Sequence, residues 1–374
     1  MNYRSIGIVG LGMIGSSLAR AVAAHHPSAT LLGDDSDPDS QAFCLAESIV
    51  QGRIDRPVDL LFLAVPPQAM LHVLAQYETR LTPNSVVSDV ASVKRGVFEG
   101  MAQRYPSPAW TFISSHPIAG SEHAGPRAGK ADLFHGRKLY LTPYGSVSDD
   151  AVRNLGTFWE SLGAHVEPAM DWHTHDALFA AISHLPHLLA FAAASALGKH
   201  ETKVEPAKWA RLWLRIAHSA PALWADIFWQ NREFLTALTD ECRILLGNAR
   251  REEARDIRQR MIPSRLQTGT DENVPPIPLL GLAQCLAAAM LQTIRRFGNA
   301  RRISLDDSGG AGLADITSVM LLPETLPTPT MMAALAEEIS FAVSLLKKDM
   351  PESLLHWCRE ARNHADSLTN AENH

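Results

Sequence analysis

A histidine among unusually small residues is the first candidate for chemistry. Residues 114–125 read SSHPIAGSEHAG, so His116 has few bulky neighbours to pack against. A neutral imidazole, with an ordinary pKa of about 6.5, can accept a proton near neutral pH. A lone loop histidine is more often a solvated or capping residue. The elements that position His116 must therefore decide between the two interpretations.

The N-terminal segment predicts the strand, glycine turn and helix of a dinucleotide-binding fold. An apolar run at residues 6–9 precedes GLGMIG at residues 10–15, and a helical pattern follows. Gly10 would permit the tight turn, Gly12 the approach of a pyrophosphate, and Gly15 close packing of the helix on the strand. The helix N-terminus would then present backbone N–H groups to the phosphates.

The next strand favours NAD over NADP. Residues 29–35, ATLLGDD, end in two acids at the distance that the dinucleotide fingerprint requires. Asp35 is favoured over Asp34 as the partner of the adenosine ribose hydroxyls. Residues 36–40 contain no arginine that would accept a 2′-phosphate. The alternative is that these acids belong to a solvated turn.

Further apolar runs alternate with helical segments and predict an α/β fold, a Rossmann-type doubly wound parallel sheet. Ligands of such sheets bind at the carboxyl ends of the strands. His116 and Ser92 follow two of the predicted strands, and Met13, Ile14, Val65 and Pro66 are expected to contact the cofactor with the three glycines. The predicted strands lie within residues 58–67, 84–94, 109–117 and 137–143.

Four blocks resemble the prephenate/arogenate dehydrogenase family of tyrosine biosynthesis, and prephenate dehydrogenases most closely. The blocks are DVASVK (89–94), SHPIAGSEHAG (115–125), AAISHLPHLLAFA (180–192) and LRIAHSAPALWADIFWQN (214–231). The resemblance covers about residues 5 to 260. It implies NAD-dependent oxidative decarboxylation of prephenate to 4-hydroxyphenylpyruvate.

The resemblance also implies roles for individual residues. His116 matches the family's catalytic histidine, which would withdraw the substrate hydroxyl proton. Ser92 matches a serine that orients the histidine and the hydroxyl, and it could also cap a helix. Arg215 matches the arginine that binds a substrate carboxylate through two parallel hydrogen bonds. The other substrate-site candidates are Ser183, His187 and Glu122, the last as a possible gate.

Two nearby histidines are not predicted to bind a metal. His184 and His187 lie three residues apart on one helical face, but no third ligand stands at suitable spacing. His184 is assigned to packing or pocket support.

One segment departs from the family pattern. In residues 205–217, Leu212 and Leu214 stand where many relatives have Asp and Thr. The choice between prephenate and arogenate therefore stays open.

Other activities than prephenate oxidation are compatible with some of these residues. A 4-amino-4-deoxyprephenate dehydrogenase shares the ring and both carboxylates of the substrate, so the residues barely separate it from a prephenate enzyme. Another small-acid oxidoreductase of related fold is also open. A non-catalytic NAD-binding regulator is disfavoured, because a sensor needs none of His116, Ser92 and Arg215.

The chain is long enough for more than one domain. We expect an NAD-binding domain at residues 1–168, a helical substrate and dimerisation domain at 169–262, and a C-terminal extension at 275–374. A linker is expected at residues 263–278, and two helices of the extension at about 328–347 and 351–366. The extension is interpreted as regulatory, and residues 301–307 and 314–322 could be strands of a degenerate ACT-like domain. The alternative is a duplicate of the helical unit, which residues 277–291 resemble. The family resemblance implies a homodimer formed through the helical domain.

Composition restricts the partners. A net charge of −6 and a pI of about 6.2 argue against nucleic acid or an anionic membrane as the main partner. No uninterrupted apolar stretch is expected to span a bilayer. The four cysteines are widely separated and form no metal or redox motif. With no leader pattern at the N-terminus, they predict a reduced, cytoplasmic protein.

Overall fold

The computed structural model describes residues 3–120, 124–199, 215–248, 290, 293, 329–348 and 350–370. The chain forms two compact units, Met1–Asp176 and Ala177–His374.

A seven-stranded sheet forms the centre of the first unit, in the order β2-β1-β3-β4-β5-β6-β7. All neighbouring pairs are parallel except β5 and β6, which are antiparallel. The strands are β1 Ser5–Val9, β2 Thr30–Asp34, β3 Leu60–Leu63, β4 Val86–Asp89, β5 Thr111–Pro117, β6 Lys138–Pro143 and β7 His165–Val166.

Helices cover both faces of this sheet, as the continuous apolar strands predicted. Ile6 and Phe62 pack with side chains of α1 and α5 on one face, whereas Leu61 and Leu63 pack with side chains of α3 and α4 on the other. Alternate residues of a strand point to opposite faces, so β3 contributes to both cores. The helices are α1 Met13–His25, α2 Pro38–Ala46, α3 Pro67–Tyr77, α4 Arg95–Arg104, α5 Asp149–Ser161 and α6 Trp172–Phe179.

The doubly wound prediction is confirmed, but the expectation of a wholly parallel sheet is wrong at β6. Parallel neighbours need a crossover connection of a dozen or more residues, usually a helix. In its described part, the β5–β6 connection contains only the one-turn helix Pro126–Ala128. The chain therefore returns antiparallel and pairs His116 with Tyr140.

The second unit is helical in its described part. A π-helical turn, Ala180–His184, joins α6 to α7 Leu185–Lys199, and the other helices are α8 Pro221–Gln230, α9 Arg232–Asn248, α10 Pro329–Lys347 and α11 Pro351–Asn370. The last two lie where the sequence predicted the tail helices, and both pack against α7.

A buried carboxylate, Glu338, contributes polar contacts to that packing. Glu338 of α10 accepts a hydrogen bond from the Trp357 indole N–H at 3.0 Å. The same carboxylate forms an ion pair with Lys199 of α7 at 2.6 Å. The proposed ACT-like strands at 301–307 and 314–322 lie outside the described residues, as do the 263–278 linker and almost all of the proposed duplicate at 277–291.

One helix in the described part of the chain, Trp172–Lys199, is long and apolar enough to cross a membrane. The expectation that no such segment exists is therefore wrong on length and composition. Of its most apolar window, 89% is buried inside the protein. Core helices of soluble proteins pass the same test, so the helix is weak evidence for a membrane span.

Candidate active site

The glycine loop has the backbone geometry that its glycine spacing predicted. Gly10 has φ 89°, a left-handed conformation that other residues rarely adopt, and its N–H donates to the Asp34 carbonyl oxygen at 2.8 Å. A Cβ at Gly15 would overlap the Gly10 carbonyl oxygen, so this glycine allows α1 to approach β1. A Cβ at Gly12 would meet nothing within 4 Å. The open space lies at the first turn of α1, where backbone N–H groups attract an anion.

The two acids after β2 are used differently. Asp34 is buried and occupied by an ion pair with Arg53 at 2.8 Å and a hydrogen bond from the Tyr77 hydroxyl at 3.1 Å. Asp35 is less buried, and its carboxylate accepts a hydrogen bond from the Leu11 N–H of the glycine loop at 2.5 Å. The geometry favours Asp35 as the ribose partner, because Asp34 already serves the fold.

His116 is the penultimate residue of β5, and only 6% of it is exposed. Its Nδ1 is 2.9 Å from Nε2 of His175, and Nδ1 of His175 is 2.8 Å from an oxygen of Asp176. His175 and Asp176 are both completely buried. The histidine singled out from the sequence thus begins a row of three hydrogen-bonded side chains that reaches into α6.

Asp176 also caps α4. Its carboxylate accepts the backbone N–H of Lys94 at 2.9 Å and that of Arg95 at 2.8 Å, which are the unpaired donors of a helix start. The capping interpretation of Ser92 is wrong, because α4 begins at Arg95 with Lys94 in the cap position. Ser92 is half-buried in the loop between β4 and α4, at the carboxyl edge of the sheet.

Lys94 is a fully buried cation beneath this edge. Its ammonium group contacts the Asp89 carboxylate at 3.1 Å and donates to the carbonyl oxygens of Ala91 at 2.6 Å and Ser115 at 2.7 Å. These bonds connect the ends of β4 and β5, directly beside His116. Burial lowers the pKa of Lys94, whereas Asp89 and then Asp176 oppose that change.

The second unit holds the other candidates. The His187 ring stacks on Trp224 with centroids 3.4 Å apart, and its Nδ1–H donates to the Ser183 carbonyl oxygen at 2.9 Å. Burial lowers the pKa of His187 to about 4, and the nearby positive charge of Arg215 adds to the effect. Arg215 is exposed and lies near enough to influence His187. A neutral imidazole and a cation therefore share this part of the unit.

The remaining candidates are accounted for briefly. His184 is buried and its Nδ1 lies 2.9 Å from the Asn231 amide, which fits the support role expected for it. Glu122 lies outside the described residues. No group of three or more metal-ligating side chains occurs among the residues that the structure describes.

Sequence reasoning missed His175, Asp176, Lys94 and Trp224. An adjacent His-Asp pair in an apolar helical segment is the signal that could have identified His175 and Asp176. Lys94 and Trp224 stand within two of the family blocks, but the sequence alone gave neither a role.

The fold and this edge of the sheet define a Rossmann-type, dinucleotide-dependent oxidoreductase. The nucleotide-binding domain of prephenate dehydrogenase matches residues 18–168, and the dimerization domain of prephenate dehydrogenase matches residues 171–258. The chain belongs to the prephenate dehydrogenase family. The glycine loop precedes the first match, so its assignment rests on the geometry described above.

Named relatives agree with this membership. The chain is 33% identical to cyclohexadienyl dehydrogenase of Zymomonas mobilis over 250 residues, which cover 64% of this chain and 84% of that one. Prephenate dehydrogenase of Bacillus subtilis is 29% identical, with 63% and 67% covered.

Two solved structures are similar. Prephenate dehydrogenase from A. aeolicus, in complex with hydroxyphenyl propionate and NAD+, is 26% identical with a TM-score of 0.60, covering 69% of this chain and 96% of that one. Synechocystis arogenate dehydrogenase is 25% identical with a TM-score of 0.57, covering 68% and 96%.

Proposed function

We propose that this protein catalyses the NAD-dependent oxidative decarboxylation of prephenate to 4-hydroxyphenylpyruvate, a step of tyrosine biosynthesis. The observation that carries the proposal is a buried histidine, His116, at the carboxyl end of β5, in the same unit as a dinucleotide-type glycine loop. Family membership supplies the substrate class, and the histidine supplies the proton acceptor that the oxidation of an alcohol requires.

When bound, NAD would supply the acceptor for the hydride that leaves C4 of the substrate. The loop from Gly10 to Gly15 and the start of α1 would hold the pyrophosphate, with Met13 and Ile14 in the first turn. Asp35 would bind the adenosine ribose, and Val65 and Pro66 follow β3 at the same edge of the sheet. A Cβ at Gly10 would lie 3.0 Å from a Val65 methyl carbon, so Val65 borders the loop.

The chain's own residues move one proton. The C4 hydroxyl donates its hydrogen to His116 as the C4–H bond breaks with both electrons. The ring carboxylate bond then breaks, carbon dioxide leaves, and its electron pair aromatises the ring and returns charge to the C4 oxygen. That oxygen regains the proton from His116, so the proton balance closes. Ser92 is proposed to orient the hydroxyl.

Arg215, His187 and Ser183 are proposed to bind the substrate side chain. Arg215 supplies the cation for a carboxylate, because an arginine fork makes two parallel charged hydrogen bonds. His187, with a pKa of about 4, contributes no charge at neutral pH. Its stacking on Trp224 presents a flat, apolar surface for the remainder of the ligand. Glu122 remains a predicted gate.

The second candidate is oxidation of arogenate, alone or together with prephenate. The similarity to a cyclohexadienyl dehydrogenase favours it, because that name covers the ring of both substrates. The two differ in one group of the side chain, an amine in place of a ketone. The Nδ1–H of His187 is engaged by Ser183, so its Nε2 can only accept a hydrogen bond. An acceptor at this position suits the ammonium group of arogenate better than the ketone of prephenate, which is itself only an acceptor.

The test is NADH formation by the purified protein with prephenate and arogenate compared side by side. Turnover of prephenate supports the proposal, turnover of arogenate alone replaces it with the second candidate, and silence with both removes both. His116→Asn should lower kcat by about 10²–10⁴-fold with unchanged NAD binding. Arg215→Ala should mainly raise the KM for the substrate. The matched control is Arg243→Ala, which removes an arginine paired with Asp240 and should leave that KM unchanged.

We also propose a cytoplasmic homodimer. The family model for residues 171–258 is that of a dimerization domain, and large apolar side chains are exposed on three helices of the second unit. Analytical ultracentrifugation should give a molecular mass twice that of one chain, which is 40.9 kDa. The described cysteines, Cys44, Cys242 and Cys358, are buried free thiols, which supports a reducing compartment.

A further inference from the structure

We propose that His175 and Asp176 are positioning residues that hold His116 in the tautomer with hydrogen on Nδ1, so that Nε2 is the nitrogen that accepts the substrate proton. The inference deepens the proposed function and rests on it, because it assigns the atom of His116 that reacts. Its basis is the row of hydrogen bonds from His116 through His175 to Asp176.

Hydrogen counting fixes the direction of the row. A carboxylate only accepts hydrogen bonds, and the Asp176 carboxylate already receives the N–H groups of Lys94 and Arg95. Nδ1 of His175 must therefore carry the hydrogen that it shares with Asp176. A neutral imidazole has a single N–H, so Nε2 of His175 is an acceptor. Nδ1 of His116 must then be the donor, and its Nε2 carries a lone pair.

The electrostatic surroundings keep His175 neutral. Complete burial, followed by the positive charge of Lys94, lowers the pKa of His175 well below its ordinary value. The charged and titratable groups around the row come from β4, the loop after it, α6 and β6. Asp89 and Lys94 lie on β4 and the loop after it, Asp176 lies on α6, and Tyr140 pairs with His116 across β6.

The row also stabilises His116 after it has gained the proton. The imidazolium still donates through Nδ1 to His175, which in turn donates to the Asp176 carboxylate. The negative charge of Asp176, two hydrogen bonds from His116, thus stabilises the new positive charge of the His116 ring. The interaction is strong because these side chains are buried. The effect exists only while His116 is protonated, which is the state that follows hydride departure.

Rigid elements hold the row in place. Asp171 caps the start of α6 by accepting the Thr174 N–H at 2.9 Å and its hydroxyl at 2.6 Å. Asp176, about one turn further along α6, caps the start of α4. The starts of α6 and α4 are thus each fixed by a carboxylate of the same short segment, Asp171 for α6 and Asp176 for α4. His116 is fixed by its strand pairing with β6. The spacing of the three side chains is therefore set by secondary structure and not by a loop.

The test compares three variants of the holoenzyme with NAD and prephenate. His175→Phe removes the acceptor, whereas His175→Gln keeps an oxygen that can accept from His116 Nδ1–H. Asp176→Asn offers an amide that can donate to His175 and reverse the whole row, as the corresponding change does in a serine-protease triad, at a cost of about 10⁴-fold. The exposed neighbour on α6 provides the control, His173→Gln.

We expect kcat to fall about 10²-fold in His175→Phe and about 10²–10⁴-fold in Asp176→Asn. His175→Gln should stay within about tenfold of the wild type, and His173→Gln should be unchanged. The KM for NAD should stay constant in all of them. The acidic limb of the kcat/KM profile should move to lower pH in His175→Gln, because the link to the Asp176 charge is broken. A purely structural role would lower the melting temperature without these changes.

Nitrogen NMR of the His116 ring reports the tautomer without any turnover, and His116→Asn assigns its signals. The proposal predicts hydrogen on Nδ1 in the wild type and a loss of that preference in His175→Phe. An unchanged ring spectrum and wild-type kcat in His175→Phe and Asp176→Asn, with His116→Asn inactive, would overturn the inference and leave the proposed function standing. A fully active His116→Asn would remove the proposed base itself.

Discussion

Replacing Gly12 by alanine should weaken NAD binding without destabilising the fold. Gly12 occupies the N-cap position of α1 with φ −61° and ψ −165°, an extended conformation that alanine also adopts. A methyl group there meets no protein atom within 4 Å. It points into the space proposed for the pyrophosphate, so the loop backbone can no longer approach the anion.

The expected magnitudes separate binding from stability. Losing one hydrogen bond to a charged group costs about 1.5–3 kcal/mol, which corresponds to a rise in the NAD Kd of about ten- to a hundredfold or more. For unfolding, alanine is a poorer N-cap than glycine, but it reduces the entropy of the unfolded chain by about 0.4–1 kcal/mol. These two effects oppose each other, so the unfolding free energy should change by less than about 1 kcal/mol.

Gly15→Ala is the matched comparison. Its Cβ would overlap the Gly10 carbonyl oxygen, which is backbone and cannot rotate away. The helix must then shift from the strand, at a cost of about 1–3 kcal/mol. Calorimetric titration with NAD and thermal unfolding without NAD measure the two quantities separately. A Gly12→Ala protein with wild-type NAD affinity, or one as unstable as Gly15→Ala, would refute the assigned roles of the glycines.

Three further predictions concern stability. Lys94→Met should lower the unfolding free energy by about 3–5 kcal/mol in denaturant titrations, because it leaves the buried Asp89 carboxylate without its cation; an unchanged midpoint would argue against a charged pair. Trp357→Ala should cost about 3–5 kcal/mol, whereas His356→Ala beside it should cost little, since His356 is exposed; equal effects would mean that the tail helices do not belong to the core of the second unit. Because the pKa of His187 is lowered to about 4, the unfolded chain binds more protons between about pH 6.5 and 4, so stability should fall as the pH drops through that window. His187→Gln should flatten the decline, and an identical slope in both proteins would contradict the lowered pKa.

The sequence was sufficient for the fold class and for the conformation of the glycine loop. Glycine spacing reports local steric demands, such as the left-handed Gly10 and the close approach at Gly15, and these demands do not depend on distant residues. The continuous apolar strands reported burial on both faces of the sheet. The position of His116 at the carboxyl edge of the sheet was also predicted from the sequence, because a histidine among small residues after an apolar run is typical of the ligand edge of such a fold.

Only the tertiary structure supplied what surrounds His116. Asp176 bonds to Lys94 across 82 residues of sequence, and His175 bonds to His116 across 59. No local pattern encodes such pairs, because their distance depends on how α6 packs beside β4 and β5. The antiparallel β6 and the stacking of His187 on Trp224 have the same origin. The sequence by itself thus determined the elements and their local steric constraints, whereas packing decided which polar atoms meet, since hydrogen-bond partners are selected by distances in space and not along the chain.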